Sequence, residues 1–236
     1  MTWVAGGASD ARPAASALRG KVVVLDPGHN PGNFRHGTEI NRLVDAGTLK
    51  KACDTTGTST DAGYTEAEYT FDVALRLAAI LRRAGARVVL TRTTGTPWGP
   101  CITERAAIGN RARADAAISI HADGGPASGR GFHVIHPRAI EGLTDDIATG
   151  SRRLAHSVRA AFRSGTPMPY ATYVGRDGLD ARSDLGGLNL SDVPKVFVET
   201  GNMRNATDAG LLSSPSFRAR AARALAAGLT RYLGGA

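Results

Sequence analysis

The chain reads as a single α/β domain: a largely parallel, twisted sheet flanked by helices on both faces. Three observations predict this. Short β-branched runs alternate with longer segments of helical periodicity, the pattern of strands joined by helical crossovers. Three such runs deliver a residue that can do chemistry: Val22-Val23-Val24-Leu25-Asp26-Pro27-Gly28-His29, Ala117-Ile118-Ser119-Ile120-His121 and Val196-Phe197-Val198-Glu199. And 236 residues with 42% hydrophobic content can bury one sizeable core, with no second domain required.

Residues 1–20, rich in Ala, Gly and Pro, read as a flexible N-terminal segment, and residues 21–236 as the folded domain. Lys21–Asp26 is the first strand, stopped by Pro27 and Gly28. Residues 30–64 form a long connection full of Gly, Thr, Asn and Asp, with few apolar anchors in its middle. A loop of that length inside one domain is usually functional or mobile. Glu66–Ala84 is a helix: Phe71, Leu75, Ala78 and Leu81 recur at helical spacing, Thr65 suits the N-cap and Gly85 ends it. Strand 87–91, helix 102–113, strand 116–120 and strand 131–135 follow. Then come an amphipathic helix over 146–163, a second irregular stretch over 164–190, the strand Lys195–Glu199 and a C-terminal helix over 208–233.

The formal charge of +8 favours polyanionic partners. Its arginines are scattered through helices, however, and no nucleic-acid reader module is present, so nucleic acid is not the expected partner. No segment approaches the roughly 18 apolar residues of a transmembrane helix. Met1–Gly7 has neither the basic nor the apolar region of a signal peptide. An exported protein whose leader was replaced by Met would look the same. Cys53 and Cys101 occupy no metal-binding spacing. They are either unrelated thiols or a disulfide tying the long loop to the start of a helix. Cys53 sits in polar surroundings unusual for a free thiol, which favours the disulfide and hence an oxidising compartment.

In an α/β sheet, groups at the carboxyl ends of strands gather around one crevice. His29 and His121 there, with a carboxylate, suggest a metal site and hydrolysis. A catalytic zinc takes about three protein ligands and leaves one position open. Glu66 opens a helix directly after the long loop and is the candidate third ligand. A carboxylate in a first helical turn also serves the helix dipole, and Glu68 could take its place. Glu199, on a buried strand where an unpaired carboxylate is costly, is a fourth ligand or a general base. Asp26 either orients a ligand or simply ends its strand. His36 reads as solvated, and His133, His136 and His156 as structural or exposed. No nucleophile elbow or phosphate loop is present.

These residues also carry a resemblance. Leu25-Asp26-Pro27-Gly28-His29, Glu66 with Phe71-Asp72-Val73-Ala74-Leu75, Thr91-Arg92 with Glu104-Arg105-Ala106-Ala107 and Asn110, Ser119-Ile120-His121-Ala122-Asp123, and Val198-Glu199-Thr200-Gly201-Asn202 occur in the order of the amidase-3 family. These are zinc-dependent N-acetylmuramoyl-L-alanine amidases that act on peptidoglycan. The resemblance implies Zn2+ held by His29, Glu66 and His121, Glu199 as the catalytic glutamate, and residues 21–236 as the catalytic domain. Peptidoglycan or muropeptide fragments are the implied partners, with a monomer exported to the periplasm or cell wall. Asp123 stands where Asn is common, and Asn202-Met203-Arg204 replaces a more apolar sequence. A zinc carboxypeptidase or endopeptidase acting on stem peptides uses the same kind of ligands, and a non-catalytic wall-binding module would share the fold.

Overall fold

In the computed structural model, which describes residues 17–234, strand β1 (Val22–Pro27) lies inside the sheet. The connection after it is not a plain loop. It holds a 3-10 turn (Asn33–Arg35), α1 (Gly37–Asn41) and an antiparallel hairpin of β2 (Leu43–Asp45) and β3 (Lys50–Ala52). Ile40, Ala46 and Cys53 are buried there, so the stretch has more apolar anchorage than its composition suggests. Then follow α2 (Glu66–Arg83), β4 (Arg87–Leu90), α3 (Ile102–Ala112), β5 (Ala116–Asp123), β6 (His133–Pro137) and α4 (Asp145–Gly165). The chain closes with β7 (Leu179–Arg182), α5 (Gly186–Asn189), β8 (Lys195–Asn202), α6 (Ala206–Ser213) and α7 (Pro215–Leu233).

The main sheet has the order β4-β1-β5-β8-β6-β7. The first four strands are parallel; β6 runs antiparallel to β8 and parallel to β7. Side chains alternate between faces along a strand. One face therefore carries Val23, Leu25, Ile118, Ile120, Val196 and Val198. It packs on Leu77 and Leu81 of α2, Leu154 and Phe162 of α4, and Leu225 and Leu229 of α7 in one contiguous core. The other face carries Val24, Asp26, Ala117, Ser119, His121, Lys195, Phe197 and Glu199, aligned across the strands by register. Its cover is lighter: α3, α5 and the β2–β3 hairpin, joined where Asn189 Nδ2 donates to the Ala46 carbonyl at 2.9 Å.

The structure differs from the sequence expectations in several places. β5 runs on to Asp123, so His121 stands within the end of its strand rather than beyond it, and β8 extends three residues past Glu199 to Asn202. The single C-terminal helix is two, broken at Ser214, with Pro215 at the first position of α7, where a missing N–H costs nothing. The irregular stretch over 164–190 contains β7 and α5. Of the N-terminal segment, residues 1–16 lie outside the described residues. Leu18 is fully buried and its N–H donates to the Ala84 carbonyl, which pins the entry to β1. Cys53 and Cys101 are joined as a disulfide that ties the hairpin loop to the N-terminus of α3.

Candidate metal centre

The donor groups come from three elements that meet at the carboxyl end of β1 and β5. Pro27 ends β1, and His29 follows in a left-handed conformation (φ 56°) that L-residues seldom adopt. That turn swings the imidazole back over the sheet. Its Nδ1 donates to the Thr55 carbonyl at 3.0 Å, and its Nε2 faces Glu66 Oε2 at 3.1 Å. Glu66 is the first residue of α2, placed by a capping box in which Thr65 and Glu68 satisfy each other's backbone N–H groups. Glu68 is thus occupied in capping, and Glu66 is the carboxylate that enters the site. Its other oxygen, Oε1, lies 2.8 Å from His121 Nδ1. One donor atom from each of His29, Glu66 and His121 falls within 4.8 Å of the others.

Two glycines make this convergence sterically feasible. A Cβ on Gly28 would lie 2.2 Å from the His121 ring, and one on Gly57 would lie 2.7 Å from the His29 ring and 2.9 Å from Glu66 Oε2. Phe197 stacks on the His121 imidazole with ring centroids 3.8 Å apart, so that ring is held from the neighbouring strand β8.

The electrostatics follow from burial and contact. Desolvation alone would raise the Glu66 carboxyl, but the imidazoles of His29 and His121 hold it far below the ordinary carboxylate range. His29 and His121 respond oppositely to the same carboxylate. Burial works against charge on both. In His29 the attraction of Glu66 and Asp54 prevails and its pKa rises; in His121 desolvation prevails and its pKa falls. Two imidazoles and an ionised carboxylate, mutually close and tightly enclosed, match the donor chemistry of a divalent metal such as zinc.

Glu199 stands in register with His121 on the neighbouring strand. Its Oε2 is buried without a hydrogen-bond partner among the described residues. Desolvation, reinforced by Glu66 and Asp123, pushes its pKa well above the usual value. A carboxyl so perturbed at the mouth of a donor cluster is suited to accepting and returning a proton. An open groove of about 990 Å³ runs past the cluster, lined by Asn30, Phe34, Thr56, Ser59, Glu68 and Arg204 among others.

Sequence reasoning missed two buried arginines. Arg105 Nη1 donates to Asp26 Oδ1 and the Pro27 carbonyl, and its Nη2 to Asp54 Oδ2 and the His29 carbonyl. Arg92 donates to the Pro27 and Ala67 carbonyls. Together they fasten the turn that carries His29 to the helix that carries Glu66. Asp26 makes no contact with a donor residue itself. It accepts from Thr91, Ser119, Lys195 and Arg105, and it influences the site through Arg105. The available signal was position: Arg105 shares the buried stripe of α3 with Ala106 and Gly109, where a charge persists only if paired. Of the other histidines, His156 is exposed, His136 is half-buried, His36 pairs with Glu39 and His133 is buried.

A parallel-sheet crevice with this donor set and an unpaired buried glutamate defines the class of a metal-competent hydrolase. Residues 23–231 match the family described as N-acetylmuramoyl-L-alanine amidase. The chain belongs to that family and is an enzyme of the same hydrolase type. It is 42% identical to the N-acetylmuramoyl-L-alanine amidase of Mycobacterium tuberculosis, over 95% of this chain and 91% of that one. The crystal structure of the Mycobacterium smegmatis N-acetylmuramyl-L-alanine amidase superposes with a TM-score of 0.86 at 41% identity, covering 92% of this chain and 98% of that one. The apo form from Mycobacterium abscessus gives 0.85 at 42% identity, covering 92% and 100%.

Proposed function

We propose that the chain is a zinc-dependent amidase that cleaves the bond between the lactyl group of N-acetylmuramic acid and L-alanine of the stem peptide. Polymeric peptidoglycan or its muropeptide fragments would be the substrate. The observation that carries the metal-dependent reading is the convergence of His29, Glu66 and His121, with the partnerless Oε2 of Glu199 beside them. Zinc held by these three residues would supply a Lewis acid for the scissile carbonyl and lower the pKa of water towards about 7. With the Thr55 carbonyl engaging Nδ1, Nε2 is the nitrogen that His29 would turn to the metal. The Glu199 carboxylate takes the proton of the attacking water and passes it to the departing amine nitrogen of L-alanine. The low-dielectric setting that raises its pKa also makes it the stronger base.

The Cys53–Cys101 disulfide supports export to an oxidising compartment, the periplasm or cell wall. None of the helices is long and apolar enough to cross a membrane among the described residues. The working oligomeric state is a monomer. Mass spectrometry of a defined muropeptide digest tests the reaction. The expected products are the intact disaccharide and the free stem peptide with L-alanine at its amino terminus. Products shortened within the peptide would instead assign a carboxypeptidase or endopeptidase.

A further inference from the structure

His133 opens β6 directly opposite Glu199 in the antiparallel β6–β8 register. Cross-strand partners point to the same face with Cβ atoms roughly 5 Å apart, within reach of side-chain tips. His133 is 2% exposed. Its Nδ1 is buried with no hydrogen-bond partner among the described residues, and so is Glu199 Oε2 across from it. A buried polar atom left unpaired costs roughly 1–3 kcal/mol. Two such atoms on facing residues at one catalytic position are more economically read as a pair that closes in the working enzyme.

The surroundings narrow the choice of acceptor. Asp123 already accepts from the Tyr173 hydroxyl at 2.9 Å, and Arg182 is held by Asp184 at 2.6 Å. Asp180 on β7 is in register with Ile135, one pair further along β6. The ring of Tyr173 meets His133 edge-on with centroids 6.4 Å apart and offers it no acceptor there. Burial holds the His133 imidazole below its usual pKa despite Asp123 and Asp180, so it is neutral, with one N–H to donate and no charge added beside Glu199.

We propose that His133 is a positioning residue for Glu199: its imidazole N–H donates to the Glu199 carboxylate and aims the other oxygen at the water to be deprotonated. This rests on Glu199 being the general base. The test compares His133→Phe, which keeps a ring without an N–H, with His133→Asn, which restores a donor near the Nδ1 position. Each is assayed for kcat, KM, bound zinc and thermal midpoint on a purified muropeptide. His133→Phe should lower kcat by roughly 10–100-fold, the scale of outer hydrogen-bond partners, with KM and zinc content near wild type. His133→Asn should recover much of that loss, and Asp180→Asn should leave kcat unchanged.

If His133→Phe does not fold, His133→Met carries the same expectations. In a Glu199→Gln background, His133→Phe should add little further loss, because the two act as a unit. A kcat for His133→Phe near wild type, or an undiminished additional loss in that background, would overturn the pairing. A near wild-type kcat for Glu199→Gln alone would instead remove the base assignment on which the pairing rests.

Discussion

On one side of the β1–β5–β8 sheet, Leu25, Ile118, Ile120, Val196 and Val198 meet helices α2, α4 and α7 through hydrocarbon alone. On the other side, the same strands present Asp26, Ser119, His121, Lys195 and Glu199, and a second layer of charge from Arg105 and Asp54 lies over them. The first face can be repacked with little chemical consequence, because dispersion and apolar burial are non-directional. The second cannot: Asp26, Asp54, Arg105 and Lys195 are each satisfied by specific partners, and those partners fix the turn that aims His29. Stability is concentrated on one face and geometry on the other, although every strand contributes to both.

The sharpest difference should appear in catalysis without stability. Glu199→Gln should retain metal and fold while lowering kcat by about 10²–10⁴-fold, since an amide cannot take the water's proton. Steady-state kinetics beside a thermal melt would show it, and a coupled loss of both would blur the two faces. Arg105→Met should damage both properties. It takes the guanidinium away from Asp54 and one of two cations from Asp26, at a cost of roughly 3–5 kcal/mol for a broken buried pair, and frees the His29 turn, so denaturant midpoint and metal retention should fall together. Leu225→Ala is the matching change on the apolar face. A cavity there should cost about 2–5 kcal/mol yet leave kcat and zinc content unchanged in the fraction that remains folded. Equal kinetic damage from Leu225→Ala and Arg105→Met would break the comparison.

Reducing the Cys53–Cys101 bond, or replacing both cysteines with Ser, should cost roughly 2–4 kcal/mol, read as a lower thermal midpoint under reducing conditions. The last expectation is a change of slope with pH, and it concerns Asp26. Desolvation alone would raise its carboxyl, but Lys195 and Arg105 hold it well below the ordinary range. A depressed folded-state pKa contributes stability that is fully present above the unfolded value of about 3.9 and is lost as pH falls below it. Melts between neutral pH and about pH 3 should therefore be shallower in Asp26→Asn than in wild type, and an identical slope would remove Asp26 from the acid response.

The apolar face was legible in the sequence because period-2 and period-3.6 patterns report burial directly. The strands that lead to His29, His121 and Glu199 were legible for the same reason; the candidate donors His29 and His121 followed from those apolar runs, and Glu66 from the start of a helix. What escaped was local and polar. β7 reads Leu-Asp-Ala-Arg, an edge strand with no apolar run, and the β2–β3 hairpin includes the exposed Leu43 and the charged Lys50 and Lys51. Pro215 marked the break between α6 and α7, but the apolar spacing on either side masked it. Arg92 and Arg105 stood in the blocks that carry the resemblance but without a role, because a sequence shows that a charge exists and not that an Asp 51 or 79 positions from Arg105 will meet it. His133 was read as structural or exposed. Its position opposite Glu199 comes from the β6–β8 register, a tertiary fact.

The decisive property of the polar face is the one zinc proposed to sit between His29, Glu66 and His121. It is measured by elemental analysis of protein purified without chelator, wild type beside the His29→Ala/His121→Ala double variant. The wild type should carry about one zinc per chain and the double variant almost none, with the fold retained by circular dichroism. Full zinc occupancy in a folded double variant would rule this site out.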